Sequence, residues 1–158
     1  MNILEDFLKE KSKMLFGKEN DILEKSYDWI ESINGNFTGI SRDVLLAQVY
    51  YLRTACKLKI EDSIKACEHF EKIPEDCFTE ELIKNYIFVL KLSYQFEKAV
   101  FILKNVMNTQ PWFGFEYFCL YEIADEAMVA DGAITYVEYL EYKKQLKALL
   151  KKAAERLK

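Results

Sequence analysis

Leu4, Phe7, Leu8, Met14 and Leu15 recur at the three- and four-residue spacing of one helix face, and Gly17 ends the run. Ile22, Leu23, Trp29, Ile30 and Ile33 repeat the pattern until Asn34-Gly35-Asn36, a turn sequence, predicts its break. After a loop over 34–40, Ser41 is placed to cap a third helix striped by Val44, Leu45, Val49, Leu52 and Cys56 and ending near Lys59. A fourth helix uses Ile60, Ile64, Cys67, Phe70 and Ile73 and stops at Pro74. Thr79, followed by Glu80 and Glu81, is the N-cap of a fifth, whose stripe is Leu82, Ile83, Tyr86, Ile87 and Leu90. A sixth (Phe96, Ala99, Val100, Leu103, Val106, Met107) stops at Pro111; a seventh runs from about Trp112 to Val129, and an eighth from Tyr136 to Leu157. No segment sustains a period of two. The pattern predicts an all-α fold of about eight helices stacked as antiparallel pairs, in one domain over 1–158, with pairs at about 2–33, 41–74, 79–111 and 112–158.

Within that pattern, Ile60, Ser63, Ile64, Cys67 and Phe70 overlay Phe96, Ala99, Val100, Leu103 and Val106 at a constant shift of 36, and Pro74 and Pro111 follow 37 apart. Over about residues 41–111 this resembles the tetratricopeptide repeat, with Ala99, Leu103 and Pro111 at the motif's small, apolar and terminal positions and Ser63, Cys67 and Pro74 as the weaker copy. The first-helix positions that the motif keeps small are the bulky Tyr51 and Ile87, so the repeat is degenerate. The resemblance implies an α-solenoid whose concave face is lined by first-helix side chains, here Tyr50, Tyr51, Arg53, Lys84, Asn85 and Tyr86. The rival arrangement is a right-handed bundle of ordinary amphipathic hairpins.

Composition supports one class and removes others. With 51% hydrophobic residues, 5 Gly and 2 Pro in 158, the chain is neither disordered nor a loop-rich disulfide scaffold. Lys, Asp or Glu interrupts every apolar run, so no membrane span is expected, and MNILEDFLKEK lacks the basic and apolar regions of a signal peptide. Cys56, Cys67, Cys77 and Cys119 form no CxxC pair; they read as reduced thiols buried as small hydrophobes, and the protein as cytoplasmic.

Catalytic sets are sparse. Nucleophilic triads need a histidine base, and the single one, His69, is expected on the solvent face of the fourth helix between Glu68 and Glu71. No HExxH, Walker loop or GxGxxG occurs. Glu122, Asp125 and Glu126 lie along one helix and could serve a metal or acid–base chemistry with Asp131 and Glu138, but as a solvated acidic face they need neither. Asp131 to Glu138 resembles the second half of an EF-hand loop, yet the first ligand positions would be Ala127 and Val129, hydrocarbon where a hard cation requires oxygen. A similar aspartate-glycine turn occurs in TerB-like bacterial helical domains. The same letters fit a helix break at Gly132 and a capping box between Thr135 and Glu138. The expectation is a non-enzymatic protein with no catalytic residues, cofactor or metal.

Charge then singles out the last third. Between Lys104 and Lys143 there is no Lys or Arg, while Glu116, Glu122, Asp125, Glu126, Asp131, Glu138 and Glu141 share the segment with nine aromatics, Trp112, Phe113, Phe115, Tyr117, Phe118, Tyr121, Tyr136, Tyr139 and Tyr142. Acids among rigid rings suit an interface for a basic protein, although the rings could equally fill a terminal core. The candidate partner-binding residues are therefore Tyr51 and Tyr86 in the repeat groove and Trp112, Glu122, Asp125, Glu126, Tyr136 and Tyr139 in the acidic segment. Residues 143–158 reverse the balance, with seven basic residues against Glu155. Leu146, Leu149, Leu150, Ala153 and Leu157 make that helix amphipathic, so self-association, a membrane surface or RNA is a further option there, while the weak net charge of -4 argues against DNA. Two functions are expected: a helical-repeat adaptor that binds another protein, or a small acidic inhibitor or immunity protein that blocks a basic nucleic-acid-binding partner.

Overall fold

The computed structural model describes residues 3–11, 17–110 and 113–157, without the side chains of Leu4 and Phe113. The expectations for Met14, Leu15, Pro111 and Trp112 lie outside the described residues. Among the described residues the fold is all-α: nine α-helices, a short 3-10 turn and no strand. No helix among them is long and apolar enough to cross a membrane. The helices group into two compact units, Met1–Tyr94 and Gln95–Lys158.

In the first unit, α1 (Ile3–Lys11), α2 (Glu19–Asn36), α3 (Gly39–Lys57), α4 (Ile60–Glu71) and α5 (Glu80–Leu92) each pack on the next, and α3 also meets α5. The apolar stripes of α1, α2 and α3 close over Phe7, Ile22, Trp29, Ile33, Leu46, Val49 and Leu52, with the Phe7 and Trp29 rings 5.3 Å apart. Phe70, Tyr86 and Phe78 continue the interior as a stack, with centroids 4.9 Å apart for Phe70–Tyr86 and 5.8 Å for Phe78–Tyr86. One guanidinium ties three helices. Arg53 of α3 donates through Nε to Asp62 Oδ1 of α4 at 3.0 Å and through Nη1 to Ser26 Oγ of α2 at 2.6 Å, and it lies 4.8 Å from the Tyr27 ring centroid.

Several element boundaries differ from the sequence pattern. Asn34-Gly35-Asn36 does not break α2: Asn36 Nδ2 bonds back to Ser32 O at 2.7 Å, and the chain turns extended only at Phe37, whose half-buried ring packs on the core. A glycine in an exposed last turn costs only about 1 kcal/mol, less than Phe37 gains by burial. In consequence α3 starts at Gly39, with Thr38 rather than Ser41 at its cap. On α4, Ile60 and Ile64 are exposed, and the buried positions are Asp62, Ser63, Ala66, Cys67 and Phe70, because the Arg53–Asp62 pair turns that face inward. Of the five positions overlaid at the shift of 36, those two therefore differ from their counterparts Phe96 and Val100, which are buried. The four cysteines are free: Cys67 and Cys119 are buried as expected, Cys56 is half-buried, and Cys77 is exposed in the 3-10 turn.

The second unit holds α6 (Phe96–Thr109), α7 (Phe113–Ile123), α8 (Glu126–Ala130) and α9 (Tyr136–Arg156). Apolar almost all round, α7 packs against both α6 and α9, which is where such a helix is stable. Phe115, Cys119, Leu120, Ile123, Met128, Ile134 and Tyr139 are buried. The seventh helix expected to reach Val129 is two helices: Ala124 N closes α7 on Leu120 O at 2.9 Å, and the extended Asp125 then caps α8, its Oδ1 accepting from Ala127 N at 2.9 Å. After α8, Gly132 takes a φ of +83°, Ala133 N bonds Met128 O at 2.9 Å, and the chain turns into α9.

Replacing Arg53 by Ala leaves the buried Asp62 carboxylate without its cation and should destabilise the first unit by about 2–3 kcal/mol. The double variant Arg53→Met/Asp62→Leu should lose clearly less. Hydrogen exchange of the α2–α4 amides measures both, and an Arg53→Ala protein as protected as wild type would remove the tie from the account.

Candidate functional site

Tyr51 and Tyr86 belong to the first unit, and Asp125, Glu126, Tyr136 and Tyr139 to the second. Tyr51, on α3, is half-buried edge-on to Phe88 at 5.5 Å, and burial followed by the charge of Glu81 pushes its phenol pKa up. Tyr86 is 5% exposed and held in the Phe70–Phe78 stack. Arg53 is committed to Asp62 and Ser26, Lys84 pairs with Glu80 at 3.2 Å, and Asn85 is buried.

His69 is not on an open solvent face. Its side chain is 19% exposed, Nδ1 lies 2.9 Å from Asp43 Oδ1, and its ring stacks on Tyr50 at 5.7 Å and 5°. Antiparallel packing of α3 and α4 brings the two side chains together from 26 positions apart, which local spacing does not reveal. Since a carboxylate only accepts, the ring nitrogen donates, and Asp43 receives the hydrogen bond that its burial demands.

In the second unit Asp125, Glu126 and Tyr139 come together with Tyr121, Ala124, Lys143 and Leu146 around an open cleft of about 400 Å³. Three local features build it. The helix break at Asp125 turns Glu126 onto the same side as α9, the Thr135–Glu138 capping box fixes where α9 begins, and helical spacing then places Tyr139, Lys143 and Leu146 along one strip. In the capping box Glu138 N donates to Thr135 Oγ1 at 3.1 Å and Thr135 N to Glu138 Oε1 at 3.2 Å, as the sequence predicted. Tyr139, 7% exposed, donates its hydroxyl to Glu126 Oε1 at 3.3 Å. Tyr136 stacks on Tyr139 at 6.2 Å while remaining 63% exposed, and Tyr121 is 60% exposed. Glu122 is half-buried on α7 and does not line the cleft. The aromatics of the segment thus divide between core (Phe115, Tyr139) and surface (Tyr121, Tyr136).

Tyr121, Lys143 and Leu146 were not singled out for this site by sequence. The available signal was Ala124-Asp125-Glu126, an N-cap residue followed by a first-turn acid, which marks a helix start inside an apolar run. Among the described residues no group of three or more His, Cys, Asp or Glu is arranged to hold a metal ion. Comparison with family models, curated proteins and solved structures finds no match to the chain.

The capping box carries charge as well as geometry. The Thr135 backbone bond first, and then Lys104 Nζ at 3.2 Å from Oε2, lower the Glu138 pKa below the ordinary glutamate range. A depressed carboxylate contributes stability above its unfolded pKa and loses it as pH falls through the folded value. The thermal midpoint of the wild-type chain should therefore fall on acidification below about pH 4.3, and Glu138→Gln should be less stable at pH 7 with a flatter acid limb. Thr135→Ala should cost about 1 kcal/mol at pH 7. Circular dichroism melts across pH check all three; identical acid limbs for wild type and Glu138→Gln would refute the linkage.

Proposed function

We propose that the protein is a non-enzymatic, cytoplasmic protein-binding module that engages a basic partner through the acidic, aromatic face of its second unit. What supports this above all is the open cleft of α7, α8 and α9, where exposed Tyr121 stands beside Asp125 and Glu126, and exposed Tyr136 stacks on the Tyr139 that lines it, in a stretch that the sequence keeps free of lysine and arginine until Lys143. Rings give rigid contact area at low entropic cost, and carboxylates steer a cationic surface and set orientation. A small inhibitor that masks a nucleic-acid-binding surface would use the same face, since such surfaces are rich in Lys and Arg.

A second reading, the tetratricopeptide-like adaptor, has one observation in its favour. Helices begin at Ile60 and Phe96, and two residues before each lies a non-glycine residue of positive φ, Leu58 at 54° and Tyr94 at 60°. The offset of 36 recurs in the backbone of these two turns. On this reading Tyr51 is a groove residue still accessible in part, whereas Tyr86 is stacked inside.

Tagged protein should capture one stoichiometric partner at low salt and release it at about 0.5 M salt, where the screening length falls to a few ångströms. Tyr121→Ala/Glu126→Gln should weaken that capture roughly tenfold at low salt. A partner retained at high salt and indifferent to the double variant would overturn the acidic-face reading and direct mutation to Tyr51.

A further inference from the structure

The cleft on the second unit has the chemistry of a receptor for a single cationic side chain. Its polar wall is Asp125 and Glu126, its aromatic wall is Tyr121 and Tyr139, and Ala124 and Leu146 supply apolar surface of the kind that covers the methylene stem of a lysine or arginine. Glu126 is oriented for the purpose. Tyr139 donates to Oε1 and fixes the carboxylate, while Oε2 has no hydrogen-bond partner among the described residues. Tyr121, for its part, makes no hydrogen bond or ring contact with any described residue although it stands 60% exposed on the rim.

A cation is already there. Lys143, four residues beyond Tyr139 and so on the same face of α9, holds its ammonium 5.1 Å from the Tyr139 ring centroid and lines the cleft beside Glu126. It is the first basic residue after Lys104, so the long anionic stretch ends at an exposed side chain that lines the cleft. We propose that Lys143 occupies this cleft in the free protein as an internal stand-in, and that a partner's arginine side chain takes its place on binding. The inference rests on the acidic-face reading and specifies the group that face recognises. Arginine is the favoured ligand because a planar guanidinium can lie against an aromatic ring and still present paired N–H donors to Glu126, whereas the Lys143 ammonium is a point charge at the end of a tethered stem. The Tyr139 hydroxyl and then Glu126 raise the pKa of Lys143, in keeping with a cation held among acceptors.

Self-occupation has a measurable signature. A ligand that must displace a resident group binds with an apparent affinity reduced by the fraction of time the site is filled. Removing the resident should therefore tighten binding, and replacing it with a better resident should weaken it. The probe is the capped tripeptide Ac-Gly-Arg-Gly-NH₂, titrated into the full chain with labelled tyrosine and read by the ring signals of Tyr121 and Tyr139. Lys143→Gln should bind the probe about 2- to 5-fold more tightly than wild type, the equivalent of one exposed cation–π contact. Lys143→Arg should bind it more weakly than wild type, and Lys143→Gln/Glu126→Gln should lose the gain. Affinity in Lys143→Gln equal to or below that of wild type overturns the stand-in, while saturable shifts in wild type would still report a cation cleft. No saturable shift in any variant overturns the receptor itself, and the acidic-face reading is then judged separately by the capture experiment on Tyr121 and Glu126. Backbone amide spectra of each variant establish that the unit remains folded.

Discussion

Asp125 accepts a hydrogen bond from the Ala127 amide, and the course of the chain through the second unit follows from it. A carboxylate that reaches its own backbone two residues on holds Asp125 out of the helical region, and a run of apolar residues that would otherwise continue as one helix becomes two. Glu126 and Met128 then point to opposite sides, one to the surface and one to the interior. The short α8 brings the chain to Gly132, and α9 starts under the Thr135 cap. The acidic and aromatic side chains meet in one place because the helix is interrupted there.

The first unit depends on polar ties of a different kind. Arg53 and His69 each satisfy a buried carboxylate, Asp62 and Asp43, and both join helices that are neighbours in space. Neither carboxylate could be buried alone, since an unpaired charge in a protein interior costs several kcal/mol. The apolar core of Phe7, Trp29 and Leu46 drives the packing of α1, α2 and α3, but it would tolerate small rotations of each helix. The ion pair at Asp62 fixes one rotation of α4, and the exposure of Ile60 and Ile64 follows from it.

Much of this fold was legible in the sequence because it is written locally. Periodicity gave the helices, Thr79 and Thr135 gave two caps that the structure retains, and Gly132 gave a turn at positive φ. What escaped depends on partners distant along the chain. The Asn34-Gly35 dipeptide signals a turn in isolation, and only the packing of Phe37 on the core shows why α2 continues through it. His69 sits between two exposed glutamates in sequence, and only the fold reveals Asp43 beside it. Of the candidate site residues, Asp125, Glu126, Tyr136 and Tyr139 cluster because acids and rings concentrate in one segment. Tyr86 is lost to a stack whose other members, Phe70 and Phe78, lie on α4 and in the turn after it.

With 21 residues against the 11 of α7, α9 is nearly twice as long as the helix it packs on, and Lys147, Leu150, Lys151, Lys152 and Glu155 along its last turns are exposed. Those turns are ordered by their own hydrogen bonds and by lysines at the negative end of the helix dipole. A rigid element that is already ordered but lightly covered has settled its conformational entropy at the moment of folding. Any surface that comes to lie along it forms contacts without the ordering cost that a flexible tail would impose.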